Sequence, residues 1–138
     1  MKVLVDTSIW SLALRRNTDI NREEVRELLQ LIREFRTVMI GPVRQELLSG
    51  IPDRKNFMAL REKLRPFDDI SIMPQDYESA AELFNTCRKK GIQGSHTDFL
   101  ICAVSITNGI PIFTSDKDFT AFQKHTGIKL HKIREEFR

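Results

Sequence analysis

Four acidic residues fall at places where a folded chain could gather them. Asp6 follows the apolar run Val3-Leu4-Val5, and Glu46 lies one turn into a helical segment that begins at Pro42. Asp98 stands three residues after Ser95, and Asp116 lies just past the apolar run Ile110-Pro111-Ile112-Phe113. Each thus sits near a junction between an extended apolar segment and a helical one. Taken singly, Asp6, Asp98 and Asp116 suit the cap or first turn of a helix, and Glu46 suits an exposed helix face. Three such positions at consecutive junctions carry more weight, because in open α/β sheets the carboxyl ends of the strands share one rim and ligands bind there. Carboxylates crowded on that rim repel one another unless a cation neutralises them. A donor set made of oxygen alone, with no His or Cys cluster, selects Mg²⁺ or Mn²⁺ over zinc. Metal-dependent phosphodiester hydrolysis is the chemistry such a site performs.

Other chemistries lack their residues. The chain has neither a Gly-rich phosphate loop nor a Gly-x-Ser-x-Gly elbow. Cys87 and Cys102 lie in helical segments at no metal or redox spacing and read as two buried thiols, which predicts a cytoplasmic protein. His96 adjoins the acids but suits a solvated helix start, and His125 and His131 have no partners in sequence and read as surface residues.

The elements that must position these residues follow from periodicity. Lys2–Val5 reads as a strand, and helical spacing resumes at Ile9, Leu12 and Ala13. From Ile20 to Arg36, Val25, Leu28, Leu29, Ile32 and Phe35 form an apolar stripe, with Arg and Glu on a solvated face set for i,i+4 pairs. Thr37–Ile40 reads as the second strand, and Gly41-Pro42 opens the helix that carries Glu46. Asp53–Arg65 is a basic amphipathic helix, Asp68-Asp69 a loop bend, and Ile70–Met73 a short strand. Pro74 opens a helix to Lys90 whose inner face is Tyr77, Ala80, Ala81, Phe84 and Cys87, with Arg88-Lys89-Lys90 in its last turn. Ser95 and Asp98 form a capping box, and the helix they begin ends at Asn108-Gly109. Ile110–Phe113 is a buried strand, Phe119–His125 a helix, and Ile128–Ile133 a last strand. Strands alternating with helices predict a parallel sheet covered on both sides.

The 138 residues are 41% apolar and 30% charged, which suits one domain over residues 1–138. The longest apolar run, Phe99–Val104, is far too short for a membrane span, and Asp6 interrupts the first apolar run before it can form a signal peptide. The net charge is only +3, but without the four junction acids 22 Lys and Arg face 15 Asp and Glu, a balance of +7. An acidic point in a basic surface suits a polyanion held by its phosphates.

With Asp6, Glu46, Asp98 and Asp116 in this order, the chain resembles the PIN-domain ribonucleases, and among them the VapC toxins of toxin–antitoxin pairs. The likeness runs through Val-Asp-Thr-Ser-Ile-Trp and Pro-Val-Arg-Gln-Glu-Leu-Leu-Ser-Gly, and is densest in Thr-Asp-Phe-Leu-Ile-Cys-Ala-Val and Ile-Phe-Thr-Ser-Asp-Lys-Asp-Phe. It implies a three-layer α/β/α fold with a central parallel sheet of about five strands, usually as a homodimer. It further implies endonucleolytic cleavage of RNA with Mg²⁺ or Mn²⁺, and silencing by a small antitoxin protein. Carried over, Asp6 and Asp98 are the principal metal ligands, with Glu46 and Asp116 completing the pocket directly or through water. Asp118 matches a fifth acid, and Thr114, Ser115 and Ser8 fall where hydroxyls support the pocket.

Two rivals come from other classes. A phospho-acceptor signalling domain has a similar architecture, but it needs paired acids after its first strand, and here Asp6 precedes Thr7 and Ser8. An RNA-binding module would use the metal pocket only to dock phosphate.

Overall fold

The computed structural model describes residues 1–138. Its sheet has three parallel strands in the order β2-β1-β3, with β1 at Val3–Val5, β2 at Thr37–Val38 and β3 at Ile112–Phe113. Val3, Leu4 and Val5 are all fully buried. Successive strand residues face opposite sides, so the central strand is covered on both faces, as the unbroken apolar run requires. Seven α-helices provide that cover: α1 (Thr7–Leu14), α2 (Glu23–Arg33), α3 (Gly41–Leu48), α4 (Arg54–Leu64), α5 (Pro74–Lys89), α6 (His96–Asn108) and α7 (Asp118–His125). Helices α1 and α2 pack together, as do α5 and α6, giving the expected three-layer α/β/α class.

The two outer strands expected from the sequence shrink to single bridges. Met39 pairs with Asp69, and Ile112 with Leu130, both parallel. The five-stranded expectation is therefore corrected to three strands with one bridged residue at each edge. The reason on the first edge is local: Arg44 forks onto Asp69 at 2.7 Å and also donates to the Leu64 and Phe67 carbonyls at 2.8 Å, which ties the segment down as a loop. Asp69 is thus an ion-pair partner of Arg44 within the expected loop bend.

Helix α2 is shorter than its periodicity predicts. At its start, Asp19 accepts the Asn21 N–H at 2.9 Å in an Asx turn, which holds residues 19–22 out of the helix. At its end, Phe35 adopts φ of 56° and is 83% exposed. The Phe35 and Arg36 N–H groups donate to the Ile32 and Leu31 carbonyls at 3.0 Å, the paired bonds of a Schellman cap. Phe35 thus ends the helix, and Leu29 is 39% exposed rather than buried. The expected solvated face is wrong in one place: Glu27 is fully buried. Its partners lie in the C-terminal segment, and Glu34 pairs with Arg134 there and with Arg36, so the expected i,i+4 ion pairs along α2 do not form. On α5 the inward face is narrower than expected, with Ala80 and Cys87 buried but Tyr77 and Ala81 exposed.

The core beside α6 is aromatic. Phe99 packs on Phe122, which in turn packs on Phe119, with ring centroids 4.9 and 5.1 Å apart. Gly94 lies against this stack: a Cβ there would come within 2.5 Å of the Phe122 ring. Only glycine lets the chain pass so close just before α6 begins. Cys87 and Cys102 are free and buried, and burial pushes both thiols well above their ordinary range. No helix is long and apolar enough to cross a membrane.

Candidate active site

The strand order reverses at β1, so the rim beyond its carboxyl end is the topological switch point of the sheet. Asp6 is the first residue past that end. It stands at the N-cap of α1, yet its side chain makes no capping bond. The backbone carbonyl of Asp6 accepts from Ile9 and Trp10 instead, at 3.1 and 3.3 Å. The carboxylate turns to hydroxyls: Ser8 Oγ and Thr114 Oγ1 each donate to its Oδ2 at 2.8 Å. A hydroxyl has one proton, so both are committed to Asp6, and the Asp6 side chain is nearly buried at 4% exposure. The helix-cap explanation of Asp6 therefore fails on geometry.

The same two hydroxyls organise the loop after β3. Ser8 Oγ accepts the Ser115 N–H and Thr114 Oγ1 accepts the Asp116 N–H, both at 3.0 Å. Asp116 Oδ1 in turn accepts the Asp118 N–H at 2.9 Å. Ser8, Thr114 and Asp116 are thereby joined to Asp6 through a continuous set of bonds, and Ser115 joins through its backbone N–H rather than its hydroxyl. Asp118 contributes its backbone, while its side chain lies exposed in the first turn of α7.

Asp98 arrives from the opposite direction along the chain. Helix α6 precedes β3 and its N-terminus lies near the same rim. Ser95 Oγ accepts the Asp98 N–H at 3.0 Å, and Asp98 Oδ2 accepts the Ser95 N–H at 3.1 Å, completing the expected capping box. Burial pushes the Asp98 carboxyl above its ordinary range; its bonds to Ser95 oppose this, and the charges of Asp6 and Asp116 add to it. Asp98 therefore senses two of the other three acids. Glu46 joins through Thr7, which was not among the candidate residues: the Thr7 hydroxyl donates to Glu46 Oε2 at 3.2 Å. A Thr directly beside the key acid was the available signal.

One pattern runs through all four acids. Each uses one oxygen for a hydrogen bond from the protein and leaves the other without one. None of the free oxygens of Asp6, Asp98 or Asp116 is buried without a partner. Oxygen donors held from behind and open in front fit a hard cation. The four do not, however, form a closed cage, because no three of these side chains are grouped closely enough to hold a metal ion as they stand. Mg²⁺ keeps several waters and binds through one or two carboxylates, so the oxygens left free here could serve it without a closed cage.

The histidines divide. His96 stacks on Phe84 with centroids 5.1 Å apart and stays exposed. His131, expected on the surface, is instead partly buried, 2.9 Å from Glu27.

The PIN domain family model matches residues 3–124. The chain belongs to the PIN-domain family. PIN domains are nucleases, and the switch-point acids lie within the matched span. Among solved structures, FitAcB from Neisseria gonorrhoeae aligns with a TM-score of 0.71 at 20% identity, over 94% of this chain and 96% of that one. VapBC2 from Rickettsia felis, bound to a DNA fragment from its promoter, aligns at 0.73 and 18% identity, over 95% and 98%. A toxin-antitoxin complex from Klebsiella pneumoniae aligns at 0.61 and 20% identity, over 86% and 90%. At these identities the likeness is one of fold. A search of curated proteins gave no match.

Proposed function

We propose that this PIN domain, acting as a single domain over residues 1–138, is an endoribonuclease dependent on Mg²⁺ or Mn²⁺ and the toxin of a toxin–antitoxin pair. The observation that carries the reading is Asp6: a nearly buried carboxylate turned away from its helix end, held through one oxygen by Ser8 and Thr114, with the other oxygen free. Asp6 and Asp98 would hold the cation directly, and Glu46 and Asp116 would orient waters around it. When bound, the cation supplies a water of lowered pKa and stabilises negative charge on the phosphate.

The rest is the work of the chain. The Ser8 and Thr114 hydroxyls hold the Asp6 carboxylate in place through its Oδ2. The bonds from Ser95 hold Asp98 at the start of α6 with its free oxygen outward. Arg88, Lys89 and Lys90 are exposed at the end of α5 and would be the cations that hold flanking phosphates. Single-stranded RNA is the substrate class, because unstacked bases are what proteins read in RNA.

The antitoxin as partner is supported by the folds this chain shares, which include a toxin-antitoxin complex. An apolar cleft of about 480 Å³ lined by Tyr77, Ala80, Ala81, Phe84 and Leu100 is the surface a second copy would cover in a homodimer. A cytoplasmic location suits two cysteines that stay free thiols.

The test is direct. Total RNA incubated with the purified chain should give discrete fragments with Mg²⁺ or Mn²⁺ and none with EDTA. RNA retained but uncut would make the chain a binding module, and labelling by acetyl phosphate would make it a phospho-acceptor.

A further inference from the structure

Glu27 lies in the middle of α2, fully buried, and takes no part in the acidic rim. Its carboxylate accepts three donors from more than 100 residues away in the chain. His131 Nε2 donates at 2.9 Å, the Arg134 backbone N–H at 3.1 Å, and Arg134 Nε lies 3.2 Å away. A carboxylate only accepts, so the Nε2 of His131 carries the proton. Arg134 also forks onto Glu34 at 2.8 and 2.6 Å, and the Arg26 guanidinium lies over the Phe137 ring at 4.9 Å. Burying a carboxylate is unfavourable unless its partners are held firmly, so this cluster fixes the C-terminal segment on α2.

That segment is also the outer edge of the sheet. Ile112 donates to the Lys129 carbonyl at 2.9 Å and accepts the His131 N–H at 2.7 Å. One bridged residue is too little pairing to hold a strand by itself. The His131 ring meets the Phe113 ring edge-on at 5.3 Å. The Phe113 carbonyl accepts the Asp6 N–H at 2.9 Å, and the next residue, Thr114, gives its hydroxyl to the Asp6 carboxylate. The contacts run without a gap from Glu27 through His131 and β3 to Asp6.

We infer that Glu27 is a positioning residue for the acidic rim: by holding His131 and Arg134 it seats the C-terminal segment on β3 and so keeps the Thr114 hydroxyl on Asp6. The kinetic part of its test rests on the nuclease reading above, and the spectroscopic part does not. A chain of contacts shows coupling only when both ends are shown to respond.

The experiment uses the full chain, with Glu27→Gln, Thr114→Val and the double variant. In metal-free protein, Glu27→Gln should shift the amide NMR signals of Ser115 and Asp116, whose N–H groups bond to the Ser8 and Thr114 hydroxyls. With Mg²⁺ and an RNA substrate, well below the melting temperature, it should lower kcat about tenfold with KM nearly unchanged. In the Thr114→Val background the same change should lower kcat less than twofold, because the link is already cut. Amide shifts confined to α2 and residues 128–138, with kcat per folded molecule unchanged while the melting temperature falls, would overturn the inference and leave Glu27 a purely structural anchor. If the wild-type chain cuts no RNA, the nuclease reading fails and the amide shifts still decide this one. Should Glu27→Gln not fold, His131→Gln breaks the same link from its other side and is read by the same two measurements.

Discussion

Asp98 is held in a position that its own charge resists. Burial first, and then the Asp6 and Asp116 charges, raise its carboxyl above the ordinary value of 3.8. A raised folded-state value means that the metal-free protein binds a proton there more tightly than the unfolded chain does. Its stability should therefore fall as pH rises through the window just above the ordinary carboxylate range. Asp98→Asn keeps an acceptor for the Ser95 N–H and removes the charge. It should abolish cleavage, raise the metal-free melting temperature at pH 7 by about 1–4 °C, and flatten that pH dependence. Melting curves with EDTA across pH 4–7 check this, and a melting temperature lowered at every pH would show that the charge is not resisted. Thr114→Val acts from the other side of the rim. It strips a donor from the nearly buried Asp6 carboxylate and an acceptor from the Asp116 N–H, so it should cost about 1–3 kcal/mol in denaturant unfolding. Ser8→Ala removes the equivalent pair of bonds to Asp6 and Ser115, and should cost a similar amount unless water enters the more open space. The acids were legible in the sequence because each falls at a strand or helix junction. Glu27 was not, since it looks like the exposed Glu23 beside it, and only a segment a hundred positions away decides that it is buried.

At the scale of elements, the periodicity gave helix positions well and helix ends poorly. Helix α2 was expected to reach Arg36, because Phe35 continues the apolar stripe. The chain instead turns at Phe35, with φ of 56° and a side chain 83% exposed. A bulky residue in the left-handed region is strained by about 1 kcal/mol or more, and its exposed ring offers little in return. Phe35→Gly should keep the Schellman cap, relieve that strain, and raise the unfolding free energy by about 0.5–1 kcal/mol despite the greater freedom of glycine in the unfolded chain. Equilibrium urea unfolding measures it, and a loss of stability would mean that the ring makes contacts beyond this chain's own surface. The outer strands were legible as apolar segments but not as single bridges. Whether Ile70 or Leu130 pairs along several residues depends on Arg44 at one edge and on Glu27 at the other, and neither is local. The starts of α6 and α3 were clearer, since Ser95-x-x-Asp98 and Pro42 carry their signals within one turn.

At the scale of the whole molecule, the acidic rim and the C-terminal segment respond to acid in opposite directions. The Arg134 fork, aided by Arg36 and Gln30, holds the Glu34 carboxyl down at about 2, against an ordinary 4.5. A lowered folded-state value contributes stability above the unfolded value, and this is lost as pH falls from about 4.5 towards 2. The groups facing this contact are Glu27, His131, Arg134 and Arg36, and of these the arginines stay charged throughout. Asp98, whose carboxyl is raised, resists folding less as pH falls towards that window. The metal-free protein should therefore be most stable on the acid side of neutrality, and then loosen first at the C-terminal segment. Hydrogen exchange at the His131 and Ile112 amides, which close the edge bridge, should accelerate between pH 4.5 and 2 while the Val5 amide in the central strand stays protected. Arg134→Ala should remove that dependence by loosening the segment already at pH 7. Equal acceleration at all three amides would mean that the segment and the sheet unfold as one unit, with Glu34 acting on the global equilibrium rather than on the edge.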